Sequence, residues 1–116
     1  MIRVAMPRFQ EEIAPCFEYS ATIAIFDIED GDIVSQTDFS LQSNRAFDRL
    51  RLLRDQQVNT LICGGIQDRF EQMVQASGIE TVSWVSGHVE TILKQYLDGT
   101  LTPGEARLGR EAPTVP

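Results

Sequence analysis

Two thiols, two glycine-bearing turns and a single imidazole hold most of the chemistry this sequence could do. Cys63 closes an apolar run in Leu61-Ile62-Cys63-Gly64-Gly65-Ile66-Gln67-Asp68, where a strand gives way to two glycines and then a helix. Cys16 sits in a loop between Pro15 and Phe17, and Ser86-Gly87-His88 leads into a later helical segment. Thiolate and imidazole are the donors suited to iron–sulfur and related transition-metal centres. Glycine at a strand-to-helix turn lets a ligand approach the backbone, and the N–H groups of the helix behind it favour an anion. Such a setting would draw Cys63 toward its thiolate. The expected binding set is therefore Cys16, Cys63, Gly64, Gly65, Ser86 and Gly87, with Cys16, Cys63 and His88 as metal ligands. Plainer roles compete with each of these. Cysteine often packs as a small hydrophobe, paired glycines can serve a tight turn alone, and a histidine beginning a helix is often just exposed. Arg8, near Cys16, can simply pair with Glu11 or Glu12.

The elements that would position these residues follow from the hydrophobic periods. Ile2 to Met6 reads as a strand closed by Pro7, and residues 8–18 as a loop. Thr22 to Ile28 is apolar and β-branched, as a central strand should be. Glu29-Asp30-Gly31-Asp32 supplies a hairpin turn. Ile33 to Phe39 is more polar and belongs at a sheet edge. Beyond it the period becomes helical. Phe47, Leu50 and Leu53 define one amphipathic face over residues 44–57, with Ser43 or Asn44 as cap. Phe70, Met73 and Val74 define a second, ended by Gly78; Val89, Ile92, Leu93, Tyr96 and Leu97 define a third, ended by Gly99. Short strands at Val58–Cys63 and Ile79–Val85 separate the helices.

The order β-β-β-α-β-α-β-α predicts an α/β fold, one mixed five-stranded sheet covered on both faces by three helices. Residues 1–101 should form this domain and 102–116, with three prolines, a flexible tail. Ligands in open α/β sheets gather outside the carboxyl ends of the strands. If the first strand runs parallel to the two later ones, the loop with Cys16 hangs over Cys63.

Composition narrows the function classes. The chain has 116 residues, enough to bury a core without disulfides or a structural metal. Two cysteines form no disulfide framework. A formal charge of −7 and no basic stripe argue against nucleic acid. No apolar run approaches the roughly 20 residues that span a bilayer, and no signal-peptide core opens the chain, so a cytoplasmic protein is expected. Two-metal nuclease chemistry needs several carboxylates from adjacent strands, and Ile-Arg-Val-Ala-Met offers none. Cys16 and Cys63 do not form the CxxC arrangement of thiol oxidoreductases.

Four segments are together distinctive: IRVAMP, IAPCFEYSATIAIFDIEDGDIV, VNTLICGGI and SGIETVSWVSGHVETILKQYLDGTL. In their order and spacing the chain resembles the nitrogenase iron–molybdenum cofactor biosynthesis family, small cofactor-carrier domains and their stand-alone relatives, from Ile2 to Leu101. The resemblance implies a three-layer α/β/α, ribonuclease-H-like fold. It implies a non-enzymatic role, the binding, delivery or scaffolding of an iron–sulfur or iron–molybdenum type cluster, with a partner protein that donates or receives it. Many members carry histidine where this chain has Cys16, and some carry cysteine where it has Ser86. A bare iron–sulfur cluster is usually held by a full set of thiolates. One chain offers two thiols and His88, so a homodimer or a cofactor with other ligands is implied. The alternative is a protein-interaction or regulatory module of the same fold that binds no metal.

Overall fold

The structure, a computed structural model, describes residues 1–101; the tail expected over 102–116 lies outside the described residues. Its elements run β1 (Ile2–Phe9), β2 (Glu12–Ile13), a single 3-10 turn (Phe17–Tyr19), β3 (Thr22–Glu29), β4 (Asp32–Ser40), α1 (Ala46–Asp55), β5 (Thr60–Ile62), α2 (Asp68–Ala76), β6 (Glu80–Val82) and α3 (Val89–Asp98). The main path of the sheet is β4-β3-β1-β5-β6, with β2 paired to the end of β1. β1, β3 and β4 form an antiparallel meander, while β1, β5 and β6 run parallel.

Side-chain alternation divides the interior into two layers. Ala5, Ile23, Ile25 and Leu61 face α1 and α2, meeting Leu50, Leu53, Phe70 and Val74. Val4, Met6, Ala24, Phe26 and Ile62 face α3, meeting Val89, Ile92 and Leu93. The result is a three-layer α/β/α arrangement with an open, mixed sheet. Asp30 (φ +53°) and Gly31 (φ +83°) both take positive φ between β3 and β4, as a two-residue hairpin turn requires. Gly99 ends α3 in the left-handed conformation at φ +75°.

Three expectations are corrected. The sheet has six strands rather than five, because Glu12–Ile13 pairs with the end of β1. Two residues carry no readable period. Pro7 does not close the first strand: its carbonyl accepts the Ala14 N–H at 2.9 Å, and the strand runs on to Phe9 before folding back. The first helix begins at Ala46 and is capped by neither Asn44 nor Ser43. Ser43 Oγ instead accepts the Arg45 N–H at 2.9 Å, ordering the turn before the helix.

Candidate functional site

Because β1, β5 and β6 are parallel, their carboxyl ends open on one edge, and the loop after β2 returns to it. Cys16 pairs with Gly65 in an isolated parallel bridge. Gly65 N–H donates to the Pro15 carbonyl and Phe17 N–H to the Gly65 carbonyl, each at 2.8 Å. The segment after β6 hooks over the same turn: Trp84 N–H donates to Gly64 O at 2.9 Å and Val85 N–H to Cys63 O at 3.0 Å. Ile13 N–H reaches Gly87 O at 2.9 Å. Between these segments lies an open cavity of 580 Å³, lined by Phe9, Gln10, Glu12, Ile13, Pro15, Gly64, Gly65, Trp84, Val85, Ser86 and Gly87.

The two glycines are required by the chain's own backbone. A Cβ on Gly64 would stand 2.6 Å from the Ala14 carbonyl oxygen, and one on Gly65 2.9 Å from that of Pro15. The close approach expected of a ligand is made here by residues 14–15. On the cavity side, Gly65 faces the Trp84 ring, whose edge would lie 3.5 Å from its Cβ. Trp84 itself holds φ +64°. That region is strained for a bulky side chain, and such strain gathers where a structure over-determines a site.

The thiols occupy contrasting environments. Cys63 is wholly buried, in the core layer shared with Ala5, Leu61, Phe70 and Val74. Burial pushes its pKa far above the ordinary thiol value, and the carboxylates of Glu71 and Glu18 add to the effect. The expected pull toward thiolate is thus reversed. Cys16 is partly exposed. Its pKa is also raised, chiefly by burial, with the Glu18 carboxylate opposing the thiolate too. Cys16 Sγ lies 3.8 Å from Glu18 Oε2.

Glu18 explains the fate of the helix terminus behind Cys63. It is 2% exposed, and its carboxylate accepts the Gln67 N–H at 3.2 and 3.3 Å. Gln67 precedes α2 and offers no capping side chain of its own. The anion at this helix start is therefore a residue of the chain itself. Nothing in the sequence pairs Glu18 with Gln67, and Asp68 beside it already reads as an acid at the helix start, so no local signal points to a distant partner. Trp84, read only as the end of a strand, was likewise missed.

His88 does not join the thiols. It precedes α3, makes no side-chain cap bond, and lines a separate cavity of 160 Å³ with Arg8, Glu11, Phe26 and Gln36. Arg8 pairs with Asp38 on β4 at 3.8 Å rather than with Glu11 or Glu12. Among the described residues, no group of three or more His, Cys, Asp or Glu side chains is arranged to hold a metal ion. Nor is any described helix long and apolar enough to cross a membrane.

Solved structures share this architecture. PH0822 superposes with a TM-score of 0.83 at 21% identity, over 90% of this chain and 96% of that one. A proposed dinitrogenase from Methanocaldococcus jannaschii gives 0.74 at 19% identity, over 88% and 93%. The apo form of the orange protein from Desulfovibrio gigas gives 0.74 at 18% identity, over 90% and 94%. At such identities the likeness speaks to the fold alone. No curated protein matches the sequence significantly. The family model described as dinitrogenase iron–molybdenum cofactor matches residues 1–99, and the chain belongs to that family.

Proposed function

We propose that this chain is a non-enzymatic carrier or scaffold for an iron–sulfur or iron–molybdenum type cluster, taken up at the crevice beyond the carboxyl ends of β1, β5 and β6. Membership of the family supports the class of cargo. The observation that carries the location is the return of residues 15–17 onto Gly65, which brings the Cys16 backbone to that edge, its partly exposed thiol standing beside Glu18 and outside the lining of the 580 Å³ cavity. The donors do not fit a bare cluster held by a full set of protein thiolates. Cys63 lies behind the Gly64-Gly65 turn, so it contributes as a ligand only if that turn opens, and His88 faces another cavity. The chemistry fits a cargo that brings its own sulfide or other ligands, steadied by Cys16, or one shared with a second copy or with the protein that donates or receives it.

Anaerobic reconstitution with iron and sulfide, followed by absorption spectroscopy and iron and sulfide analysis of the desalted protein, tests this reading. Retained charge-transfer absorption with stoichiometric iron supports it; a colourless, iron-free product overturns it. A second reading, a protein-interaction or regulatory module that binds no metal, is favoured by one observation, the sealing of Cys63 in the core. Under that reading the anaerobically purified protein carries no iron and co-purifies with a partner.

A further inference from the structure

The two edges of the sheet differ. At one, β6 is three residues long, short as natural edges usually are. At the other, β4 runs nine residues, DIVSQTDFS, and every residue from Asp32 to Asp38 is exposed. Such an edge offers a row of main-chain donors and acceptors, which proteins commonly guard with Lys, Pro or a covering segment. β4 contains no Lys, Arg or Pro, and β3 is its one strand partner among the described residues. Its β-branched Ile33, Val34 and Thr37 suit extended pairing, and Ile33 and Val34 stay 50% and 52% exposed.

Parity fixes which groups face outward. Leu41 N–H donates to the Ala21 carbonyl at 2.7 Å, and antiparallel pairs alternate between bonded and unbonded. Thr37 and Phe39 therefore bond Ile25 and Ile23, their partners in β3. Gln36, Asp38 and Ser40 turn their main-chain groups away from the sheet. We propose that β4 pairs antiparallel with β4 of a second copy, about a two-fold axis at Thr37, joining two sheets into one. In this register the outward groups of Gln36 meet those of the partner's Asp38, and the reverse, as an isologous contact requires. Thr37 faces its own copy, a favourable cross-strand pair. The one charge within residues 34–40 is Asp38, which already lies 3.8 Å from Arg8. Opposite it stands an amide able to donate, as Gln36 Nε2 does to Asp38 Oδ1 at 3.1 Å within one chain. An axis at Asp38 would instead oppose two carboxylates, and one at Gln36 would set Asp38 against Val34. The pairing lies two strands away from the crevice-forming β1 and β5 side, so it goes beyond the carrier reading and stands apart from it.

Sedimentation equilibrium of the full chain from roughly 10 μM to 1 mM tests this, since an interface built on one strand pair belongs to the small, weak class. A monomer–dimer equilibrium is expected. Gln36→Pro removes an outward N–H without touching the bonds to β3, and should weaken dimerisation at least roughly tenfold with the circular dichroism unchanged. Thr37→Cys gives a readout that does not depend on that variant folding. Unbonded antiparallel pairs set their Cα atoms about 4.5 Å apart, within disulfide reach. Mild oxidation should therefore link two copies of Thr37→Cys, and not of Ser35→Cys or the unaltered chain. A chain that stays monomeric throughout, a dimer untouched by Gln36→Pro, or no cross-linking of Thr37→Cys above the unaltered chain overturns the inference and leaves the carrier reading standing.

Discussion

Glu18 and Gln67 are 49 residues apart in sequence, yet the carboxylate of one accepts the backbone N–H of the other at 3.2 and 3.3 Å. The same carboxylate lies 3.8 Å from the Cys16 thiol. One buried acid thus caps a helix start and sets the electrostatics of the only partly exposed cysteine.

Removing that acid should act on both. Glu18→Ala is expected to destabilise the fold by about 1–2 kcal/mol, the usual cost of a lost cap or charged hydrogen bond. Glu18→Gln, which keeps an acceptor, should cost less. Because the carboxylate raises the Cys16 pKa, both variants should shift the pH profile of Cys16 alkylation to lower pH. Urea denaturation and iodoacetamide kinetics on the same samples measure the two effects.

The thiols should differ in access. In the native protein, alkylation followed by mass spectrometry is expected to modify Cys16 and spare Cys63 until the chain is unfolded, since Cys63 is wholly buried. Comparable labelling of both in native buffer would contradict the placement of Cys63.

Burial of Cys63 also couples stability to alkaline pH. Its thiol keeps its proton in the folded chain beyond the ordinary value of 9.0, at which the unfolded chain releases it. The contribution is complete below that value and is lost as pH rises from it toward the higher folded pKa. The urea midpoint should therefore fall above the ordinary thiol pKa, and the fall should be shallower in Cys63→Ala.

The paired glycines should prove intolerant. Gly64→Ala sets a Cβ 2.6 Å from a backbone oxygen that cannot rotate away, and should cost roughly 1–3 kcal/mol or more. Gly31→Ala meets nothing within 4 Å and should cost only about 1–2 kcal/mol for its left-handed backbone. Thermal melts of the two variants give the comparison.

Much of this architecture could be read from the amino acids alone. The helical faces at Leu50 and Leu53, Phe70 and Val74, and Ile92 and Leu93 all pack as their spacing dictates, because amphipathic period is a strong local signal. Asp30-Gly31 forms its turn for the same local reason. The short β2 and the continuation through Pro7 were hidden, since both depend on pairing between Arg8 and Ile13 across a two-residue turn. At the site, convergence of the Cys16 loop on the Cys63-Gly64-Gly65 turn followed from the direction of β1, now seen to be parallel to β5. What the residues could not convey was depth. Whether Cys63 lines a groove or faces the core turns on a single alternation of the strand, and its neighbours Phe70 and Val74 come from a helix whose docking is a tertiary matter. Glu18 was illegible for a similar reason, its partner being a backbone N–H far along the chain.

The most direct test of the central claim compares three proteins in one anaerobic reconstitution: the full chain, Cys16→Ala and Cys63→Ala, each verified as folded. Cluster absorption and retained iron are expected in the full chain and, with little loss, in Cys63→Ala, and to drop strongly in Cys16→Ala. Equal retention in all three, or loss confined to Cys63→Ala, would contradict the assignment of cargo binding to the edge where Cys16 meets Gly65.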